Sequence, residues 1–402
     1  MNVLANPDPA RRLRELAVVF LRLGVLAFGG PAAHIAMMDD EIVERRRWLS
    51  RERFLDLLGA ANLIPGPNST ELAIHIGYQR AGWPGLLVAG SCFILPAAAI
   101  VGGLAWAYDR YQALPAVAAL FHGVVPVIVA VVLQALGRLG RAALRDVGRG
   151  VAAIGAVVLT LLGVHELLVL GLAGAGVLLY SRAARGERAL PAAVPFLLTS
   201  PGGAAPADSG GLPVASSGTG LLALAAAAVP VTLDRLFLFF VKVGSVLYGS
   251  GYVLLAFLRA DLVERWGWLT ERQLLDAIAV GQVTPGPVFT TATFVGYVLA
   301  GPAGAAVATA GIFLPAFVFV ALTRPWIGRL RNSAAAGAFL DGVNAGSLAL
   351  MAVVTLQLAR AAVVDALTAG LLAVSVIVLW TRRVNPTWLI LGGAMVGLLA
   401  MP

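Results

Sequence analysis

Apolar residues run along this chain in blocks, several about 20 residues long, which as helix is enough to cross roughly 30 Å of hydrocarbon. Six blocks fall near 13–38, 54–78, 85–108, 114–136, 149–163 and 166–180. Six more fall near 233–258, 273–298, 303–323, 335–358, 361–380 and 385–400. The last two blocks of each set are shorter and predict a tight helical hairpin. Between the sets, 181–219 is rich in Pro, Gly, Ser and Ala, the composition of a flexible linker. The expected organisation is an all-α polytopic membrane protein with a repeat over 1–180, a linker over 181–219 and a second repeat over 220–402.

The two sets are copies of one another. At an offset of 220, Phe20, Gly24 and Gly29 match Phe240, Gly244 and Gly249, and Val43-Glu44-Arg45 matches Val263-Glu264-Arg265. Trp48-Leu49 matches Trp268-Leu269, Asp56 matches Asp276, and Pro65-Gly66-Pro67 matches Pro285-Gly286-Pro287. One residue is then lost, after which Gly77-Tyr78 pairs with Gly296-Tyr297 and Gly123-Val124 with Gly342-Val343.

Composition agrees with the blocks: 59% of residues are hydrophobic and 12% charged, against about 25% charged in soluble domains. The net charge of +8 comes from arginines concentrated in short loops, where a topology signal belongs, so it gives no reason to expect nucleic acid. One cysteine, Cys92, excludes an internal disulfide. The N-terminal `MNVLANPDPARRLRELAVVF` lacks a signal-peptide cleavage pattern and reads as a cytoplasmic lead-in. The mixed acidic, basic and Trp pattern around Trp48 and Trp268 predicts interfacial amphipathic helices.

Arginines also give orientation. In the first half they load the 137–149 loop and 181–188; in the second they load 324–331, one loop earlier in the repeat. Positive loops stay cytoplasmic, so the halves are expected to be inverted, with an extra crossing near 221–231. The competing reading is two parallel halves with scattered arginines.

Candidate chemistry gathers where the blocks are interrupted. Pro65-Gly66-Pro67 and Pro285-Gly286-Pro287 remove backbone donors and permit backbone angles that other residues resist, so each should break a helix inside the membrane. Such breaks survive only where they are buried or line a cavity. The half-helix that follows presents free amides and a positive dipole end, which suits an anion. Gly29-Gly30 marks a second break. Beside them lie uncharged donors: Asn62, Asn68, Ser69 and Thr70, with Gln282, Thr290 and Thr291 in the other copy. Arg22 and Lys242, the only lysine, occupy the same repeat position inside apolar blocks and are expected to line one oxyanion site. Snorkelling is the alternative for both. Glu71, His75 and His34 are candidate proton carriers, a salt bridge from Glu71 to Arg22 being the alternative; His122 and Asp341, a repeat pair, are weaker. Grouping His34 with Asp39, Asp40 and Glu44 fits no zinc spacing, and neither a metal nor a cofactor is expected.

The motifs `FGGPAAHI`, `VERRRWLS` and `PGPNSTELAIHIGY`, with `VERWGWLT` and `PGPVFTTATFVGY`, resemble the chromate ion transporter family in its long, two-domain form. The likeness covers nearly the whole chain. It implies export of chromate across the bacterial cytoplasmic membrane and hence chromate resistance, with sulfate as a related oxyanion and halves facing opposite ways. The second copy departs from the first in carrying Ser250-Gly251 where the first has Gly30-Pro31, so the half-sites need not bind alike. A homodimer is also considered. An inside-negative potential expels a dianion with about 4.6 kcal/mol per 100 mV, and no Walker-type motif is present for ATP. A transporter of another anion, and an intramembrane enzyme built on Glu71, His75 and His34, remain as alternatives.

Overall fold

The computed structural model describes residues 8–27, 30–185, 229–247, 253–323, 333–382, 384 and 386–400. Most of the linker and the proposed 221–231 crossing lie outside them, as do Gly29, Gly249, Ser250, Gly251 and the arginines of 324–331.

The first half holds α1 (Pro9–Leu26), α2 (Gly30–Asp39, continued as a π-helix over Asp40–Arg45), α3 (Arg51–Ala61), α4 (Asn68–Tyr111), α5 (Pro115–Ala143), α6 (Val147–Leu161) and α7 (Glu166–Ala184). The second repeats the series as α8 (Leu233–Val246), α9 (Leu254–Phe257, continued as a π-helix over Leu258–Arg265), α10 (Glu271–Val283), α11 (Thr291–Thr323), α12 (Ala334–Ala362), α13 (Ala366–Thr381) and α14 (Pro386–Leu399). Helix starts are written locally and repeat between the copies. Ser50 accepts from the Arg53 amide at 3.2 Å, and Thr270 forms a capping box with Gln273. Asp146 caps α6 and its repeat partner Asp365 caps α13.

α4 and α11 are helical hairpins. Each reverses at an Ala-Gly pair, with Gly82 at φ 62° and Gly301 at φ 63°, the left-handed region open to glycine. The arms, 68–80 and 83–111 in α4, close on Gly77 against Gly85; those of α11, 291–299 and 302–323, close on Gly296 against Gly304. A Cβ at any of these would collide with the facing backbone, so small residues set the approach. Thr293 and Thr309 hydroxyls hydrogen-bond across the α11 arms at 2.7 Å.

Among the described residues five helices, hairpins included, are long and apolar enough to cross a membrane: Asn68–Tyr111, Pro115–Arg141, Glu166–Ala184, Val288–Thr323 and Ala334–Ala362. Blocks 13–38 and 54–78 do not form single spans. The first is split after α1, and the second is divided between α3 and the first arm of α4. Prolines at 65 and 67 supply no amide to continue α3, and Gly66 sits at φ 137°.

The halves interlock. The α6–α7 hairpin packs on α12, and the α13–α14 hairpin packs on α5. Gly342 meets the backbone at Ala173, and its repeat partner Gly123 meets the backbone at Gly393 and Gly397. Ion pairs follow the same rule: Arg149 at the start of α6 holds Asp341 at the start of α12 (2.5 Å), and His122 at the start of α5 holds Asp365 beyond the end of α12 (2.8 Å). The start of α5 therefore lies level with the end of α12, and these two repeat-related helices run antiparallel.

Candidate functional site

Helix α3 ends at Ala61, helix resumes at Asn68, and the Asn68 side-chain amide donates to Asn62 Oδ1 across the gap at 2.6 Å. In the second copy α10 ends at Val283, and a short 3-10 turn over Val288–Thr290 leads into α11. Each Pro-Gly-Pro segment is anchored on the opposite half. The Gly66 amide donates to the carbonyl of Leu247, at the end of α8, at 2.6 Å; the Gly286 amide donates to the carbonyl of Ala27, at the end of α1, at 2.9 Å. Each break thus satisfies the terminal carbonyl of the other repeat's first helix, a group that would otherwise lack an intrahelical partner. Ala316 packs near Gly66, and Ala97 packs against Gly286.

Polar groups gather around this crossed pair. His34 on α2 is buried, with Nε2 3.0 Å from the Ala27 carbonyl and Nδ1 3.2 Å from Ser69 Oγ. The carbonyl can only accept, so Nε2 carries the proton and, in a neutral ring, Nδ1 accepts from Ser69. On the first turns of α4, Thr70 Oγ1, both Glu71 carboxylate oxygens and His75 Nε2 are buried with no hydrogen-bond partner among the described residues. Glu71 is 0% exposed and lies against Gly66. Opposite, Thr290 and Thr291 are buried and donate to the carbonyls of Pro287 and Val288, both at 2.8 Å, leaving their oxygen lone pairs free. Gln282 Nε2 is buried with no hydrogen-bond partner among the described residues. Gly30 begins α2 at φ 78°.

The repeated cations do not share an environment. Lys242 Nζ sits 2.7 Å from Oδ2 of Asp261, a fully buried carboxylate that also pairs with Arg265. Arg22 lies on the exposed face of α1, away from the side that buries Leu16, Val19, Phe20 and Leu23. The repeat partner of Asp261, Glu41, pairs instead with Arg45 and Arg46. Lys242 and Arg22 are therefore differently placed, the lysine's charge being engaged by a buried acid that the helical pattern of `LRADLVER` did not single out. The alternative partnership of Glu71 with Arg22 does not form either. Two further residues were passed over: Asp276, visible in sequence only as one repeat match, and Tyr108, which donates to Asp276 Oδ2 at 2.8 Å.

Duplicated apolar helices, interrupted at matched points and cross-anchored there, define a polytopic membrane transporter. A family model described as "Chromate transporter" matches residues 14–179 and again 235–398. The chromate transport protein of Cupriavidus metallidurans is 32% identical over 399 residues, covering 98% of this chain and 94% of that protein. The chromate transport protein of Pseudomonas aeruginosa is 32% identical over 401 residues, again covering 98% and 94%. A probable chromate transport protein of Synechococcus elongatus is 30% identical over 368 residues, 90% of this chain and 88% of the relative. No solved structure matches the chain. The chain belongs to the chromate transporter family.

Proposed function

We propose that this protein is a secondary transporter that exports chromate across the bacterial cytoplasmic membrane. The observation that carries the mechanism is the reciprocal anchoring of Gly66 on Leu247 and Gly286 on Ala27. It draws the two post-break helix starts toward one region of the fold, where amides and uncharged donors suit a tetrahedral oxyanion. The substrate groups are Asn68, Ser69, Thr70, Thr290 and Thr291 with the breaks themselves; Asn62 and Gln282 border them. Family membership supports transport rather than catalysis. Sulfate, similar in charge and shape, is the nearest competitor. Everted vesicles carrying the protein should accumulate labelled chromate, and an ionophore that collapses the potential should stop it. Equal accumulation with and without the protein would sink the reading.

The halves act as inverted repeats. Antiparallel α5 and α12 support this, since an axis relating them turns one half over in the bilayer. The α3–α4 break then enters from the cytoplasmic side and the α10–α11 break from the outer side. Arg145 and Val364 are repeat partners in exposed turns, and a cysteine at each gives the test. In a chain lacking Cys92, Val364→Cys should react with an impermeant maleimide on intact cells and Arg145→Cys should not. Equal labelling of both would return the halves to a parallel arrangement.

Glu71 is the proton carrier at the centre of this scheme, because among the described residues its carboxyl has no partner and it lies beside the first break. Glu71→Gln should keep chromate binding, within about threefold in Kd, while transport loses its pH dependence. Unchanged pH dependence in a folded variant removes Glu71 from the coupling path.

A further inference from the structure

A second acid lies well away from the breaks, at the other end of α10. A cavity of about 320 Å³ opens between the start of α5, the first turns of α10 and the end of α12. Its lining includes Phe121, His122, Glu271, Arg272, Leu275 and Asp276. Asp276 is 2% exposed, yet it borders the cavity. One of its oxygens, Oδ2, accepts from Tyr108 on the second arm of α4; the other, Oδ1, is buried without a partner among the described residues. Tyr108 is itself fixed edge-on to Phe121 and tilted on Phe294, with centroids 5.6 and 5.1 Å away.

We propose that Asp276, aimed by Tyr108 into this cavity, is a proton-binding site loaded from the outer face of the membrane. The outer placement rests on the inverted reading above, in which the start of α5 and the end of α12 face out. The binding step is a proton transfer: hydronium arriving through the cavity gives a proton to Oδ1, its O–H bond breaks to leave a neutral water as the Oδ1–H bond forms, and Tyr108 keeps its own proton on Oη throughout.

The surroundings select a proton over a larger cation. From α10 itself Arg272 stands one turn away, and Glu271 is engaged by Arg259 at 2.5 Å. From α5, His122 is held by Asp365 at 2.8 Å. From α4, Asp109 and Arg110 are exposed beyond Tyr108. The wall from α12 is apolar between 361 and 364, and α11 carries no charged side chain among 291–323. Its Tyr297 lines a separate apolar cleft. One open carboxylate oxygen cannot build a metal shell, which needs several oxygens, but it is sufficient for a proton.

The repeat supplies an independent observation. Asp56, partner of Asp276, has a side chain 37% exposed and lies 3.9 Å from Arg53. The same acid is therefore accessible and arginine-paired in one half, and enclosed beside a tyrosine in the other. α10 leads directly into the second break, so the state of Asp276 bears on the segment held by Ala27.

Infrared difference spectra between acid and alkaline buffer test the site on the reconstituted full chain without any substrate. One component of the parent's protonated-carboxyl bands should be missing in Asp276→Asn and shifted in Tyr108→Phe, while the component from Glu71 stays in both. Spectra identical across all three overturn the proposal. If Asp276→Asn fails to insert, an unshifted band in Tyr108→Phe overturns it alone. In vesicles, Asp276→Asn should abolish the response of chromate flux to outer pH yet retain chromate counterflow; a parental pH response overturns the outer-face assignment. Failure of the parent to exchange chromate counts against the transport reading and leaves the infrared result standing.

Discussion

Gly286→Ala should reduce chromate transport by at least about tenfold, and adding Ala97→Gly should restore part of it. Two costs meet at this position. Gly286 has φ 89°, where a side chain is strained by about 1–2 kcal/mol. The new methyl would also drive into the Ala97 side chain, and overpacking of this kind costs about 1–3 kcal/mol. The second arm of α4 would have to move, breaking the bond from the Gly286 amide to Ala27. Ala97→Gly relieves the collision and leaves the backbone strain, so the rescue should be partial. Counterflow of labelled chromate in proteoliposomes, normalised to inserted protein, measures both. Full activity of Gly286→Ala would mean that the break is not held as tightly as its contacts indicate. Gly66→Ala carries the same expectation, its methyl meeting the Glu71 carboxylate at φ 137°.

Lys242→Met should destabilise the protein by about 3 kcal/mol, the lower end of the cost of stripping one partner from a buried ion pair, because Arg265 still holds Asp261. Transport should fall with it. Asp261→Asn in the same chain removes the buried charge left with Arg265 as its one partner among the described residues, and should recover both the thermal midpoint in detergent and the transport rate. This double variant separates two roles that a single substitution confuses. A folded Lys242→Met, Asp261→Asn protein without transport would return the lysine to the substrate path.

The duplication and the helical class were legible in the sequence, because they rest on local rules. Pro65, Pro67, Pro285 and Pro287 each lack an amide donor and flank a glycine, a pairing that disfavours helix more than the lone Pro96, Pro126 and Pro315 inside α4, α5 and α11 do, and Gly82 and Gly301 mark reversals between blocks that the hydropathy pattern already separated. The long-range partners were not legible. Lys242 and Arg22 look equivalent by position, but one meets Asp261 and the other is exposed, and that difference arises only when α9 packs beside α8. Tyr108 and Asp276 lie on helices from different halves, joined by no sequence rule. Likewise, the bond from each break to the opposite half depends on how the repeats cross, which periodicity does not encode.

That crossing has a consequence for biogenesis. Gly123 is among the earlier residues of α5 to enter the bilayer, but its packing partner Gly393 lies on α14 of the other repeat. During synthesis the first repeat therefore waits, its long helix without its final neighbour, until the last hairpin is inserted. Truncation before α13 should yield a product that inserts yet is degraded, and a separately expressed α13–α14 hairpin should rescue it. Quality control can thus read the arrival of the second repeat from a single glycine seam.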